Sequence, residues 1–190
     1  MTSRIQENAA PGLDLAAAVA RDASDPLAPF RDRFEIPAEV IYLDGNSLGV
    51  LPKGVAERVA ESVASEWGTG LIRSWNAAGW IDLPRHVGAR IAPLVGAEPD
   101  CVVAADSTTV NLFKVVSAAV SLRPERTKIV TETRKFPTDN YIAEGVIRQC
   151  GARHSLVHVD DPRDIPAALD RDVAVLMLTH VNYRDGSLHD

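Results

Sequence analysis

The residues best suited to chemistry lie in short runs, each between a segment with strand character and one with helix character. The first run, residues 106–111, contains the hydroxyl residues Ser107, Thr108 and Thr109. A helix N-terminus offers free N–H groups and a partial positive charge, so hydroxyl donors at that point would suit a phosphate group. The alternative is simple N-capping of the helix by Ser107 or Thr108.

The second run is Phe136, Pro137, Thr138 and Asp139. Here an aromatic ring and a carboxylate could lie over a flat, cationic cofactor. Alternatively, Phe136 is a hydrophobic staple or core residue and Asp139 is the helix N-cap. Both runs follow predicted strands, and α/β folds bind ligands at the carboxyl ends of their strands.

Thr179 ends the last predicted strand at the same edge of the sheet and is a further candidate ligand contact. The five histidines form no set with cysteine or carboxylate at metal-ligand spacing, so we expect no metal site. The glycine-rich dinucleotide motif, the P-loop and the serine-hydrolase elbow are all absent from the sequence.

Periodicity predicts the elements that must position these residues. Apolar spacing and turn residues predict helices over residues 13–25, 52–63, 83–94, 109–121 and 139–149, and extended segments over residues 40–43, 101–104, 128–131, 155–159 and 173–178. The alternation of strands and helices indicates an α/β fold with a mainly parallel sheet flanked by helices. The continuously apolar segment 173–178 is typical of a strand buried on both faces.

Composition indicates a globular protein, with 46% hydrophobic and 24% charged residues in 190. The net charge of -6 argues against nucleic acid and anionic membranes as partners. Cys101 and Cys150 lack CxxC spacing and are expected to be reduced thiols. With no secretory signal in residues 1–12 and no apolar run long enough to span a bilayer, we expect a cytoplasmic protein.

From about residue 40 to the last residue, the chain resembles the N-terminal portion of the kynureninase family. The segments that carry this resemblance are residues 42–49 (YLDGNSLG), 74–76 (SWN) with 79–80 (GW), 106–112 (DSTTVNL), 136–139 (FPTD), and 180–183 (HVNY) with Gly186. Each segment is short, but all of them occur in order.

The resemblance implies a fold-type I enzyme that depends on pyridoxal 5'-phosphate and works as a homodimer. Such enzymes hydrolyse L-kynurenine, and in some cases 3-hydroxykynurenine, to anthranilate or 3-hydroxyanthranilate and L-alanine. This reaction belongs to tryptophan catabolism and NAD biosynthesis. Residues 1–40 would then be a helical lead-in, and residues 41–190 an incomplete cofactor-binding large domain.

The resemblance also implies site roles. Thr108 and Thr109 would bind the cofactor phosphate, Phe136 would stack on its pyridine ring, and Asp139 would lie close to it. The remaining implied cofactor contacts are Pro137, Thr138 and Thr179. Ser47 and Trp75 would line the substrate pocket.

The family's Schiff-base lysine follows a tyrosine, and none of the four lysines of this chain does so. The sequence therefore predicts no catalytic residue, and little or no activity for the isolated chain. Two alternatives stay open: another fold-type I enzyme, such as a class V aminotransferase or a cysteine desulfurase, and a non-catalytic truncated paralogue that acts as a binding or dimerisation module.

Overall fold

The computed structural model describes residues 14–189, which fall into two compact units, one ending at Ile81 and one beginning at Asp82. The sequence predicts that the cofactor-binding domain begins near residue 40. This boundary is defined by cofactor binding and stays a prediction. Among the described residues, no helix has both the length and the apolar character needed to cross a membrane.

The first unit is built from short elements. They are α1 (Leu15–Ala23), a 3₁₀ turn (Ala28–Arg33), β1 (Phe34–Glu35), β2 (Leu51–Pro52), α2 (Val55–Glu61), a π-helical turn (Ser62–Trp67), a 3₁₀ turn (Leu71–Arg73) and α3 (Ser74–Ala77). The predicted first helix is confirmed over α1, where the Asp14 carboxylate accepts a hydrogen bond from the N–H of Ala17 at 2.8 Å. Leu13 lies outside the described residues.

Two predictions in this unit are wrong. Residues 40–43 are irregular and form no strand. The Tyr42 hydroxyl donates to the Leu48 carbonyl at 2.6 Å, and this bond closes a local loop. Pro52 does not open a helix, because it pairs with Phe34 in the antiparallel β1–β2 ribbon. Proline is tolerated there since a strand at the edge of a sheet does not need every N–H group.

The second unit contains the sheet. After a 3₁₀ turn at Trp80–Asp82, its elements are α4 (Leu83–Ile91), 3₁₀ turns at Ala92–Val95 and Pro99–Cys101, α5 (Thr108–Ser121), β3 (Lys128–Glu132), α6 (Pro137–Gln149), β4 (Ser155–Val159), a 3₁₀ turn (Pro162–Asp164), α7 (Ile165–Ala168) and β5 (Val173–Met177). The three strands run parallel in the order β4-β3-β5. This confirms the predicted α/β class with a parallel sheet flanked by helices.

The sheet is covered on both faces, because successive side chains of a strand point to opposite sides. Ile129 of β3 packs with buried side chains of α5 and α6, and Val130 packs with Ile165 of α7. The register of β3 with β4 is regular from Lys128↔Ser155 to Glu132↔Val159, whereas the pairing with β5 shifts by one residue after Lys128.

Two strand predictions in this unit need correction. Residues 101–104 form no strand, since the N–H of Ala104 donates to the carbonyl of Pro84 in α4 at 3.0 Å. The segment 173–178 is only half-buried, with Leu176 40% exposed, because β5 lies at the edge of the sheet within residues 14–189. The strand with the greatest burial is the central one, β3.

Candidate functional site at the carboxyl edge of the sheet

Glu132, the last residue of β3, holds the carboxyl edge of the sheet together. It is 5% exposed, and its carboxylate accepts a hydrogen bond from the N–H of Thr179 at 2.8 Å. Its other oxygen lies 2.9 Å from Nε2 of His189. Thr179, predicted as a ligand contact, is therefore fixed by a residue that sequence reasoning missed. The available signal was an acidic residue at the end of an otherwise buried strand.

The start of α6 presents the predicted aromatic ring. Phe136 occupies the N-cap position, and its side chain is 53% exposed with its ring edge-to-face against Tyr183 at a centroid distance of 5.4 Å. The staple or core alternative for Phe136 is therefore wrong. Pro137 is the first helical residue, where its missing N–H group has no cost.

Asp139 is the third residue of α6, so the alternative that made it the N-cap is also wrong. A carboxylate in the first turn is stabilised by the partial positive charge of the helix N-terminus. Its Oδ2 atom lies 3.8 Å from Nζ of Lys135, whose side chain is fully buried. Burial lowers the pKa of Lys135, and the nearby carboxylates of Asp139 and Glu132 offset part of that effect.

A buried polar network links α6 to β3 and β5. The Thr131 hydroxyl lies 3.1 Å from both Oδ1 of Asn140 and the carbonyl of Met177. The amide nitrogen of Asn140 donates to the carbonyl of Glu132 at 3.2 Å. These bonds cross between elements, so they fix the start of α6 relative to the strand ends.

The start of α5 combines a capping serine with two exposed threonines. Ser107 is the N-cap, and its hydroxyl accepts from the N–H of Val110 at 3.3 Å, so the capping alternative holds for Ser107. Thr108 and Thr109 are the first two helical residues, and both are exposed. Asp106, with φ of 47°, carries a carboxylate that would repel phosphate, but Lys114 pairs with it.

The fold brings the predicted residues of the second unit to one edge. Helix α5 precedes β3 and α6 follows it, so both helices begin at the carboxyl edge of the parallel sheet. The two helices share one packed face through Val116, Val120, Ala143 and Val146. Ser47 and Trp75 lie in the first unit, Ser47 in an exposed turn and Trp75 in α3 with 48% of its surface exposed.

Near Trp75, a second residue missed from sequence organises the first unit. The Glu66 carboxylate accepts hydrogen bonds from the indole N–H of Trp80 at 2.8 Å and from the Ser62 hydroxyl at 2.9 Å. These bonds, with the Trp80 bond as the larger cause, lower the pKa of Glu66. The backbone carbonyl of Glu66 also accepts from the buried Ser74 hydroxyl at 2.6 Å, next to Trp75.

An open cavity of about 460 Å³ lies at the ends of β3 and β4. Its lining includes Glu132, Arg134, Asp160, Asn182 and Arg184. Across residues 14–189, no cluster of three or more histidine, cysteine or acidic side chains could hold a metal ion.

The donor set at the carboxyl edge fits a flat, phosphorylated cofactor. Exposed threonine hydroxyls at a helix N-terminus suit a phosphate, and an exposed phenylalanine ring offers a stacking surface. A carboxylate in the first turn of the neighbouring helix complements a cationic ring. Together with the parallel sheet, these groups belong to an α/β protein, a class of fold in which ligands commonly bind where the strands end.

Comparison with curated proteins makes the relationship specific. The chain is 52% identical over 177 residues to a kynureninase from Burkholderia mallei (strain SAVP1) and 51% identical over 177 residues to one from Burkholderia pseudomallei (strain 1106a). It is 53% identical over 176 residues to a kynureninase from Pseudomonas fluorescens. The predicted resemblance to the kynureninases, a fold-type I family, is confirmed.

These alignments cover 90–91% of the chain but 42% of each relative, so the chain spans about two fifths of the length of the curated relatives it matches. No protein-family model matches the chain.

Proposed function

We propose that this chain carries the phosphate- and ring-binding part of a pyridoxal 5'-phosphate-dependent kynureninase. The whole protein would hydrolyse L-kynurenine or 3-hydroxykynurenine to anthranilate or 3-hydroxyanthranilate and L-alanine, in the cytoplasm, as a step of tryptophan catabolism and NAD biosynthesis. The observation that carries this proposal is 52% identity over 91% of the chain to a kynureninase. No comparable observation favours an aminotransferase, a cysteine desulfurase or a non-catalytic module.

The bound cofactor would supply an electron sink for the reaction. The chain's own residues would bind and orient it. The hydroxyls of Thr108 and Thr109 and the free N–H groups at the start of α5 would donate to the phosphate, and Phe136 would exclude water from one face of the ring. Asp139 would hold a negative charge beside the ring, on a helix whose first turn already favours one.

Other residues would complete the site. Pro137 and Thr138 shape the first turn of α6 beside the ring, and Thr179 supplies a contact from the end of β5. Ser47 and Trp75 are proposed to line the kynurenine pocket.

We propose that the isolated chain turns over little or no kynurenine. Three of its four lysines are already engaged, since Lys114 pairs with Asp106, Lys128 pairs with Asp170, and Lys135 is fully buried. The fourth, Lys53, belongs to the first unit, whereas every proposed cofactor residue belongs to the second. The amine that holds the cofactor covalently must be free to attack an aldehyde. Borohydride reduction in the presence of the cofactor should therefore give no stoichiometric adduct by mass spectrometry. A single adduct accompanied by anthranilate formation would overturn this proposal.

The phosphate role is tested by equilibrium binding of pyridoxal 5'-phosphate and of inorganic phosphate to the chain. The double variant Thr108→Val/Thr109→Val removes both hydroxyls and should weaken binding by about a hundredfold or more, because hydrogen bonds to charged groups are worth about 1.5–3 kcal/mol each and about 1.4 kcal/mol is a factor of ten. Thr127→Val, just before the amino end of β3, is the matched control and should bind like the original chain. Equal binding by all three proteins would contradict the phosphate role.

We also propose that the protein is a homodimer, as its family is. Large apolar side chains of the first unit are exposed, including Ile41 at 90% and Leu43 at 88%. We propose that these side chains belong to the surface that the partner subunit covers. Light scattering coupled to size exclusion would show a mass of twice 20.5 kDa for the chain if its dimer surface is sufficient.

A further inference from the structure

Lys135 is a buried cation at the carboxyl edge of the sheet. Its side chain has no exposed surface, and its ammonium lies 3.4 Å from the carbonyl of Met177 and 3.8 Å from Oδ2 of Asp139. An ammonium group removed from water is costly unless hydrogen bonds and opposite charges surround it. Here the carboxylates of Asp139 and Glu132 supply that compensation.

The contacts of Lys135 join two segments that carry proposed cofactor residues, the start of α6 and the end of β5. Its backbone directly precedes Phe136, and its ammonium contacts the first turn of α6 at Asp139. The carbonyl of Met177 ends β5, two residues before Thr179. One buried charge therefore contacts every segment of the second unit that we assign to the ring of the cofactor.

We infer that Lys135 is a positioning residue for the ring-binding part of the site: its buried ammonium fixes the Asp139 carboxylate and the end of β5 before the ligand arrives. This inference rests on the proposed function, since it gives Lys135 a role toward the same cofactor. Lys135 does not itself reach the ligand, because its side chain is buried.

A purely structural role makes a different prediction. Removal of one partner of a buried ion pair destabilises the fold, because the other charge is left uncompensated, and on that view Lys135→Met would lower stability but leave the ligand affinity of the folded chain unchanged. A positioning role requires that the lysine and Asp139 act as one unit, so their substitutions must not be additive.

The experiment is a double-mutant cycle in the 190-residue chain with Lys135→Met, Asp139→Asn and the double variant. Affinity for pyridoxal 5'-phosphate is measured by absorbance titration, and the unfolding equilibrium by urea. Lys128→Met is the control, because Lys128 lies at the opposite end of β3 and pairs with Asp170 at the surface. Lys135→Arg, which keeps the charge, tests rescue.

We expect each single variant to lose affinity about tenfold, and the double variant to lose no more than either single one, as for residues that act together. Lys135→Arg should recover most of the affinity, and Lys128→Met should bind like the original chain. Full affinity in Lys135→Met, or losses that multiply in the double variant, would overturn the inference. If Lys135→Met does not fold, the other two single variants decide. The inference is supported if Lys135→Arg keeps its affinity for pyridoxal 5'-phosphate while Asp139→Asn loses it. The inference is refuted if Lys135→Arg loses affinity while Asp139→Asn keeps it.

Failure of the proposed function gives a separate result. If the original chain binds no pyridoxal 5'-phosphate, the cofactor proposal fails, and the urea data alone decide whether Lys135 and Asp139 are coupled. Coupling means that Asp139→Asn raises the unfolding constant in the original chain and has little effect in the Lys135→Met background. Equal effects in both backgrounds would show that the two residues do not act together.

Discussion

At the residue scale, the start of α5 separates two roles that the sequence alone leaves open. Ser107 caps the helix by accepting the N–H of Val110, whereas Thr108 and Thr109 lie exposed in the first turn. Loss of a cap lowers the free energy of unfolding, whereas loss of a phosphate contact lowers the affinity for the ligand. Separate measurements of stability and of binding therefore distinguish the two roles.

We therefore expect Ser107→Ala to lower the free energy of unfolding by about 1 kcal/mol, the usual value of a serine cap. The Thr108→Val/Thr109→Val variant should keep its stability to within about 0.5 kcal/mol, as exposed substitutions do. Urea unfolding of the three proteins measures both effects. A large loss of stability in the threonine variant would assign those hydroxyls to the fold and not to a ligand.

Lys135 predicts a specific dependence of stability on pH. Burial lowers its pKa below 10.5 in the folded chain, so between that lowered pKa and 10.5 the unfolded chain binds more protons than the folded one. The contribution of Lys135 to the free energy of unfolding therefore rises with pH in this window. Below the window both states are protonated, and the buried charge opposes folding to a constant extent.

The measurement is the difference in unfolding free energy between the original chain and Lys135→Met from neutral pH to about pH 10.5. We expect the free energy of unfolding of the original chain to increase relative to that of the variant as the pH rises, because the methionine side chain has no proton to lose. A difference that stays constant with pH would mean that the lysine is not buried.

Sequence reasoning selected exposed candidate residues and missed the buried charged residues next to them. Thr108 and Phe136 stand out because they lie between a strand pattern and a helix pattern. Glu132 and Lys135 read in sequence as ordinary polar residues near a turn, and only the tertiary structure, in which Glu132 contacts Thr179 and Lys135 contacts Met177, shows that they are buried. A charge buried by tertiary packing leaves little local signal in the sequence.

At the element scale, prediction succeeded for the long helices and for the strands of the sheet, and failed for two short apolar segments. The predicted helices over residues 109–121 and 139–149 are confirmed as α5 and α6, with Val116 and Val146 buried. Residues 40–43 and 101–104 have the composition of strands, but their backbone groups find partners in loops or in α4. Short apolar runs are ambiguous because their structure depends on which partner lies nearby.

Two helical glycines make a matched test of packing. A Cβ atom on Gly88 of α4 would lie 2.0 Å from the carbonyl oxygen of Val102, whereas one on Gly145 of α6 would meet nothing within 4 Å. Gly88→Ala must therefore displace the backbone at residue 102 and should destabilise the chain by more than about 1 kcal/mol, as overpacking does.

Gly145→Ala should instead stabilise the chain by about 0.5–1 kcal/mol, since alanine is the better helix former. Urea unfolding of both variants provides the comparison. Equal effects would show that α4 does not pack against residue 102 in solution.

At the scale of the whole molecule, burial is uneven. Ser74 is the one buried residue among residues 14–81, whereas the second unit holds both clusters of buried apolar side chains. Regions with few buried contacts open with little free energy. The two units therefore differ in local stability.

Hydrogen exchange followed by mass spectrometry should show this difference. The amides of β3, which is paired on both sides and deeply buried, should exchange most slowly. The amides of residues 40–50, which are irregular and mostly exposed, should exchange at least about tenfold faster, and proteases should cut there first. Uniform protection across both units would contradict the described burial.

The strand order β4-β3-β5 also has a consequence for the chain while it is being synthesised. β3 and its neighbour β4 leave the ribosome before β5, so one side of β3 has no partner until residue 177 has emerged. The open side of a strand that contains Ile129 and Val130 is a template for pairing with other chains. The nascent protein therefore stays open to aggregation until β5 has emerged, and a chaperone bound to the unpaired side of β3 would protect it until then.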